Sequence, residues 1–430
     1  MGLRRHDRHT VATTSGGAVN LHSTTASTSS NTMTVSGTAT RPMRVLVLID
    51  AFRMGGAETL LAPLAAASRD TDVVMDFVGV SPASVNADKT MAILAEADIR
   101  PRSLGIRRLL DPFAIPRLVN EIRHGCREGG DGSYDRGYDL VHAHLEMAMT
   151  LAVPAARLTH RPVFCTFHHV ARPLDGRARW REQLAVAAAT RSDGALFVSD
   201  ASRASFQQRY HPSGLPGNWD VLHNGIDVDL YQPGQANAAV RREIGGGTGP
   251  LVVLPAAFRD FKGIPVAVKA WRLVLDRHPD ATLALVGGGP LEADLRAAVG
   301  EAGLTDSIVF AGVRTDMPEV YRAADVILLP STHGENLPTV LIEASASGRA
   351  IAASRIGGVP DIVVDDVTGL LFEPNDPEGL ADAVGRLIES PALRNTLGQN
   401  AILRAQREFS AAAWLSRLQT RYAVALGRQP

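Results

Sequence analysis

Two glutamates eight residues apart, Glu335 and Glu343, follow an apolar run that ends at Pro330. Pro338 lies between them where a helix can begin, because proline lacks only an N–H that the first helical turn leaves unpaired. The remaining free N–H groups and the helix dipole attract an anion such as phosphate. We expect Glu335 on the loop before this helix and Glu343 in its second turn, where the two carboxylates reach different parts of one ligand. The alternative is a surface loop residue and an exposed helix position.

Two cations, Arg259 and Lys262, come directly after an earlier apolar run at 251–256. If that run is a strand of a parallel sheet, both cations lie at its carboxyl end, where open α/β sheets bind their ligands. Arg and Lys can neutralise the negative charge of a leaving phosphate group without a metal ion. By itself, the Arg-x-x-Lys spacing also fits a solvated charge pair.

Small and polar residues follow two apolar runs of the first half of the chain. Gly55 and Gly56 come after the run at 44–49 and allow the backbone to approach a ligand closely, although a tight strand-to-helix turn is the alternative. His168 and His169 come after the run at 162–166. Adjacent side chains diverge and no third ligand stands at a recognisable spacing, so we expect no metal ion there.

Short runs of Val, Leu and Ile alternate with helix-length segments, a pattern typical of strands buried on both faces of a parallel sheet. We place a first series of strands at about 44–49, 73–79, 139–143, 162–166, 194–198 and 219–223. A second series lies at about 251–256, 282–286, 308–311, 326–330, 350–354 and 369–372. Two such series predict an α/β protein with two doubly wound domains, and the cleft between their carboxyl edges is the predicted site.

Length and composition agree with two domains. The chain has 430 residues, more than the roughly 250 to 300 that one hydrophobic core supports. Its net charge of -1 gives no global field toward nucleic acid, and no apolar run approaches the ~20 residues of a membrane span. Cys126 and Cys165 lack CxxC spacing, which fits a reducing compartment. We therefore expect a cytoplasmic protein, or one held peripherally at the inner face of the membrane.

The first 42 residues form a Ser/Thr-rich tract that has a basic start and no apolar core of a secretory signal. We predict a disordered tail over 1–42, and a transit peptide or a true start at Met43 remain as alternatives. The predicted domains cover 43–225 and 226–410, and a last helix covers 411–427.

The segment from Glu335 to Glu343 resembles the E-x7-E signature of glycosyltransferase family 4, usually E-G-F-G-x-x-x-x-E-A. Asn336, Leu337 and Pro338 replace Gly-Phe-Gly, and Asn336 is a departure from the pattern. The resemblance implies that Glu343 binds the donor ribose and that Glu335 binds the transferred sugar. The resemblance covers about 43–425, nearly the whole predicted ordered chain.

Further segments match the same family in chain order. The run at 257–263 resembles its R-x-x-K-G motif, which implies that Arg259 and Lys262 bind the diphosphate. T-x-H at 166–168 implies that His168 lies by the sugar, and G-G-A-E at 55–58 implies that Gly55 and Gly56 lie near the donor phosphates. The implied donor-binding set is completed by residues of two further loops, namely Gly287, Asn336, Leu337, Pro338 and Thr339.

The family resemblance also implies the architecture and the chemistry. The expected fold is GT-B, two Rossmann-like domains facing across a cleft, with the last helix packing back on the first domain. Asp227 and Asp229 match the interdomain hinge turn of the family and not a metal motif. The implied activity is transfer of a sugar from a nucleotide-sugar with retention of configuration, with neither a metal nor another cofactor.

The donor and the acceptor are not identified by the sequence. UDP is the first expectation for the nucleotide and GDP the second. The acceptor is a sugar, a lipid or a small molecule of polysaccharide, glycolipid or cell-envelope glycoconjugate synthesis, bound by loops near 81–98 and 102–117. There Arg102, Arg107 and Arg108 either meet phosphate or lipid headgroups or form ordinary solvated surface. A nucleotide-sugar epimerase of the same fold and an inactive binding subunit are the alternative functions.

Overall fold

The predicted apolar runs form the strands of two separate parallel sheets. The computed structural model describes residues 41–53, 55–125 and 137–428. The predicted tail lies outside the described residues except for 41 and 42, and so does Cys126. Within the described residues, no helix combines the length and the apolar character needed to span a bilayer.

The first sheet has seven parallel strands in the order β3-β2-β1-β4-β5-β6-β7. The chain winds outward from β1 on one side and then from β4 on the other, so the order reverses between these two strands. In sheets of this kind, that reversal marks the ligand-binding crevice at the carboxyl edge. The strands are β1 Met43–Ile49, β2 Val73–Gly79, β3 Arg102–Ser103, β4 Leu140–His144, β5 Val163–Phe167, β6 Gly194–Phe197 and β7 Trp219–Val221.

The second sheet repeats this winding with six parallel strands in the order β10-β9-β8-β11-β12-β13. Its order reverses between β8 and β11, which pair directly. The strands are β8 Leu251–Pro255, β9 Thr282–Val286, β10 Ile308–Gly312, β11 Val326–Leu329, β12 Ala350–Ser354 and β13 Leu370–Phe372. The prediction of two doubly wound α/β domains is therefore confirmed.

Helices connect the strands and cover the faces of both sheets. Those that follow strands of the first sheet are α1 Gly56–Thr59, α2 Leu61–Ser68, α3 Asp88–Glu96, α4 Ala114–His124, α5 Glu146–Leu158, α6 Gly176–Ala189 and α7 Asp200–Tyr210. Those around the second sheet are α8 Ala238–Glu243, α9 Ile264–Arg277, α10 Glu292–Glu301, α11 Met317–Ala323, α12 Thr339–Ala346, α13 Val359–Ile362, α14 Pro377–Glu389 and α15 Pro391–Phe409. The last helix is α16 Ala411–Ala425, and short 3-10 turns cover Ala83–Val85 and Asp260–Lys262.

The chain passes between the two sheets at two adjacent points. Ile226 donates its N–H to the carbonyl of Phe409 at 2.9 Å, and Ala411 donates to the carbonyl of Ile226 at 2.8 Å. A Cβ on Gly225 would lie 2.4 Å from the carbonyl oxygen of Ser410, so the two segments touch backbone to backbone. Beyond this crossing, α16 packs against α2 of the first domain.

The edge strand β3 is absent from the sequence prediction, which treats 102–117 as a loop. Two residues cannot show an alternating pattern, and they become a strand only by pairing with β2. Arg102 also differs from its predicted role at a phosphate or lipid headgroup. Its guanidinium bonds Glu121 at 2.5 Å, the Gly125 carbonyl at 2.9 Å and the Tyr138 hydroxyl at 2.9 Å, so it is a structural residue of this edge.

Candidate active site

A buried ion pair joins the two loops that flank the reversal point of the second sheet. Lys262 Nζ lies 2.5 Å from Glu335 Oε1, and the two side chains are only 15% and 6% exposed. The same oxygen accepts a hydrogen bond from Ser331 Oγ at 2.6 Å. The carboxylate predicted to face the transferred sugar is therefore fixed by a cation and a hydroxyl group.

A glycine explains why these two loops can meet. Gly263, directly after Lys262, has φ +65°, and a Cβ there would lie 1.8 Å from the carbonyl oxygen of Pro330. Only glycine combines that conformation with so close an approach. Thr332 adds a backbone hydrogen bond to the carbonyl of Phe261 at 2.8 Å. The last residue of the R-x-x-K-G motif thus holds Lys262 at the end of β11.

Arg259 is the second cation of this edge and differs from Lys262 in its surroundings. It precedes the 3-10 turn Asp260–Lys262, and its side chain is exposed. No carboxylate among the described residues forms an ion pair with it. Gly287 closes the neighbouring loop against the same strand end, since a Cβ there would lie 1.9 Å from the carbonyl oxygen of Ala256. Arg259 therefore offers a positive charge without a carboxylate partner, next to the backbone contact between Gly287 and Ala256.

Glu343 lies in the second turn of α12, as the sequence predicts. Its Oε2 accepts a hydrogen bond from the Tyr321 hydroxyl at 2.6 Å. Burial raises the pKa of Glu343, while hydrogen bonds from Tyr321 and Thr339 oppose the shift. Pro338 precedes the helix as its N-cap residue, one position earlier than the first helical turn, and no side chain caps this end. Leu341 donates its N–H to the Pro338 carbonyl at 3.1 Å, which leaves the N–H groups of Thr339 and Val340 for an anion.

The residue that departs from the family motif, Asn336, contacts the first domain. Its Oδ1 accepts a hydrogen bond from Ser199 Oγ, at the start of α7. Asp200 in turn donates its N–H to Asp361 Oδ2 at 2.8 Å. A Cβ on Gly358 would lie 1.7 Å from the Asn336 carbonyl oxygen and 2.8 Å from Ser199 Cβ. The signature loop therefore touches the other half of the molecule directly. Leu337 beside it is partly buried and packs on the apolar core.

His168 is half-buried at the carboxyl edge of the first sheet, in a row with the buried imidazoles of His144 and His142. Its Nε2 is 2.8 Å from His144 Nδ1, and its Nδ1 is 3.4 Å from Asn224 Nδ2. His142 contacts the Tyr422 hydroxyl at 2.5 Å and Thr166 Oγ1 at 2.7 Å. Burial lowers the pKa of His168 and His144 well below 6.5 and that of His142 to about 3, so the row is neutral.

The adjacent His169 has other partners. Its Nε2 is 3.3 Å from Glu182 Oε2, and with Glu146 these residues bring ligand atoms within 4.8 Å of one another. Arg209 lies 3.8 Å from Glu182 and Arg181 lies 3.9 Å from Glu146. These guanidinium groups already supply positive charge to both carboxylates.

Gly55 and Gly56 lie at the carboxyl end of β1, where α1 begins. A Cβ on Gly55 would lie 2.4 Å from Glu58 Oε2, so the buried Glu58 carboxylate folds back over this turn. Asp50, also after β1, accepts N–H groups of the α5 start at 2.7 and 3.2 Å. Burial raises the pKa of Asp50 to about 6.

The structure thus brings the predicted residues to two facing sets of strand ends. Among the described residues, Lys262 and Glu335 are joined directly, and Arg259 and Glu343 belong to the same edge of the second sheet. Three contributors were not predicted from the sequence: Ser331, Tyr321 and Ser199. Tyr321 and Ser199 act through contacts between different elements, for which residue spacing gives no signal, whereas Ser331 lies four residues before Glu335 in the same loop.

Comparison with known proteins connects this geometry to a family. Residues 240–404 match the family model "Glycosyl transferases group 1", and residues 54–230 match "Glycosyltransferase Family 4". A D-inositol 3-phosphate glycosyltransferase of Corynebacterium glutamicum is 31% identical over 325 residues, which are 68% of this chain and 73% of that protein. A GDP-mannose-dependent alpha-(1-6)-phosphatidylinositol monomannoside mannosyltransferase of Mycolicibacterium smegmatis is 32% identical over 216 residues, 48% of this chain and 56% of that protein.

Solved structures with the same fold include two with lower sequence identity. HepE of Anabaena, in complex with UDP, has a TM-score of 0.73 at 23% identity and covers 89% of this chain and 100% of its own. Sucrose-phosphate synthase of Thermosynechococcus elongatus has a TM-score of 0.66 at 22% identity and covers 90% of this chain and 99% of its own. The predicted GT-B fold is confirmed, and the chain belongs to glycosyltransferase family 4.

Proposed function

We propose that this glycosyltransferase takes its sugar from a nucleoside diphosphate donor at the carboxyl edge of the second sheet and transfers it with retention of configuration. The observation that carries the proposal is the pair of loops at the β8–β11 reversal point. They hold Arg259, which pairs with no carboxylate of the described residues, and the ion pair Lys262–Glu335, and the second loop leads into α12. Open α/β sheets bind phosphorylated ligands at this point.

The two cations have complementary tasks in this proposal. Breaking the bond between sugar and diphosphate leaves negative charge on the leaving phosphate, and fixed positive groups stabilise that charge. Arg259 contributes a charge that no carboxylate of the described chain neutralises. Lys262 has three N–H donors, of which one serves Glu335 and the others can point to phosphate. The pair of cations replaces a metal ion.

The two glutamates hold the two ends of the donor. Glu335, fixed by Lys262 and Ser331, accepts hydrogen bonds from hydroxyls of the transferred sugar. Glu343, fixed by Tyr321, accepts hydrogen bonds from the ribose. The start of α12 supplies the backbone N–H groups of Thr339 and Val340 to the diphosphate between them. In this mechanism the acceptor hydroxyl attacks the anomeric carbon from the face that the diphosphate leaves, and the leaving phosphate takes the proton of that hydroxyl.

The relatives suggest which donors and acceptors to test first. HepE was solved with UDP and with UDP-glucose, whereas the mycobacterial relative is named for GDP-mannose. UDP-sugars remain our first choice and GDP-sugars the second. Inositol phosphate is the first acceptor to test, because several relatives are named for D-inositol 3-phosphate.

The test is release of UDP or GDP from a donor panel, with and without acceptor, by the wild type and by single Ala variants of Arg259 and Lys262. Each variant should lose at least about tenfold in turnover, on the scale of a lost oxyanion donor. Lys269→Ala, an exposed lysine on α9, is the matched control and should retain full turnover. Near-normal turnover of both site variants would reject the proposal. Chromatography of the sugar product separates transfer from epimerisation, and donor turnover excludes an inactive binding subunit.

A further inference from the structure

One edge of the first domain carries exposed apolar side chains among arginines. It consists of residues 107–117, which lead into α4, and residues 172–180, which lead into α6, and we call it the arginine rim. Leu110 is 79% exposed, Phe113 is 65% exposed and Trp180 is 43% exposed. Large apolar side chains clustered on a surface indicate a contact with an apolar partner.

The two segments lie on the same side of the domain. Helix α5 packs between α4 and α6, so the three helices lie side by side on one face of the sheet. Each follows a strand of the same parallel sheet and therefore begins at its carboxyl edge. Two helix spacings of about 10 Å place the two segments roughly 20 Å apart.

The exposed position of the first segment is built into the fold. Asp111 Oδ1 accepts the N–H of Phe113 at 2.9 Å, and the Asp111 carbonyl accepts the N–H of Ala114 at 3.0 Å. This turn directs the chain into α4, whose Leu118 and Ile122 are fully buried. Leu110 and Phe113 are thus exposed in the turn before α4, whereas the apolar residues of the helix itself are buried.

The charge of the rim is strongly positive although the whole chain has a net charge of -1. Its two segments contain only two aspartates, Asp111 and Asp175, against six arginines, which are Arg107, Arg108, Arg117, Arg172, Arg177 and Arg179. None of these six guanidinium groups forms an ion pair with a carboxylate in the part of the chain that the structure describes. The two segments that carry the exposed apolar groups therefore also carry six cations.

We propose that the arginine rim docks the enzyme on an anionic lipid bilayer. Arginines attract a negatively charged surface, and leucine, phenylalanine and tryptophan enter the boundary between headgroups and acyl chains. A polyanion without apolar groups would use the arginines and leave Leu110 and Phe113 in water. Docking needs no donor, so it holds independently of the donor chemistry. It places the carboxyl edge of the first sheet, which faces the cleft, next to the bilayer.

The first test is co-sedimentation of the full chain with vesicles of phosphatidylcholine, with or without one-third phosphatidylglycerol, at low salt. The wild type should bind the anionic vesicles at least tenfold more tightly than the neutral ones. The double variant Leu110→Ser/Phe113→Ser should lose at least tenfold of that affinity. Leu403→Ser, which changes a leucine that is 64% exposed on α15, should bind as the wild type does.

Charge variants complete the test. Arg107→Gln/Arg108→Gln should weaken binding at least tenfold, whereas Arg242→Gln/Lys269→Gln, which removes two exposed cations of the second domain, should not. All variants should retain the wild-type melting temperature. The proposal is overturned if the wild type does not bind the vesicles, or if the rim variants and the control variants lose the same affinity for anionic vesicles. Loss with the arginine variant but none with the Leu110/Phe113 variant also overturns it and points to a polyanion.

Discussion

The buried pair between Lys262 and Glu335 should couple strongly in a double-mutant cycle. At 2.5 Å and an effective dielectric constant of about 20, the attraction between the two charges is about 7 kcal/mol. Desolvation of both ions offsets much of it, yet removing one partner of a buried pair typically costs about 3 to 5 kcal/mol because the other stays buried. Lys262→Met and Glu335→Gln should each destabilise the fold by this amount. The double variant should cost less than the sum, with a coupling free energy of at least about 2 kcal/mol.

Urea unfolding followed by circular dichroism measures the four free energies of the cycle. Arg296 and Glu292 provide the matched control in the same domain, because they are 2.8 Å apart but 54% and 39% exposed. An exposed pair four residues apart on a helix is worth about 0.3 to 0.5 kcal/mol. A coupling for Lys262 and Glu335 no larger than that of the control would refute the idea that this buried ion pair fixes the Glu335 carboxylate.

Two further predictions concern a glycine and a histidine. Gly263→Ala should destabilise the fold by at least about 2 kcal/mol more than Gly303→Ala, because its Cβ would clash with the Pro330 carbonyl. Gly303 is the control, since it has nearly the same φ, +64°, and a Cβ there would have no neighbour closer than 3.8 Å. Equal losses of unfolding free energy in urea would contradict this prediction. Burial lowers the pKa of His144 below 6.5, so its contribution to stability is complete above pH 6.5 and is lost as the pH falls, by up to about 1.4 kcal/mol per pH unit. His144→Gln should flatten the decline of unfolding free energy between about pH 6.5 and 5 by up to that amount, and a slope equal to that of the wild type would disprove it.

Much of the architecture is accessible from the sequence, because buried parallel strands are continuous apolar runs. The twelve predicted strands occur in the structure. The thirteenth, β3 Arg102–Ser103, was not predicted because two residues are too few to show a hydrophobic pattern. The strand ends then place Arg259, Lys262 and Glu335 on one edge, since parallel strands of one sheet share a carboxyl edge.

The contacts that fix the site depend on tertiary packing. The ion pair of Lys262 requires Gly263 to lie against Pro330, which no spacing rule indicates. Asn336 reads as a departure from a motif in the sequence and proves to contact Ser199 across the interface of the two domains. Arg102, for which the sequence left a headgroup contact and a solvated surface open, bonds Glu121 of a different element, a contact that residue spacing does not indicate.

In the function proposed above, a nucleoside diphosphate binds at the carboxyl edge of the second sheet with its ribose on Glu343. Calorimetric titration of UDP and of GDP into the wild type and into Glu343→Gln measures this binding. We predict one site per chain for at least one of the two nucleotides, with affinity at least about tenfold weaker in the variant, as expected when a ligand loses a hydrogen bond to a charged group. Equal affinities of the variant and the wild type would place the donor elsewhere on the molecule.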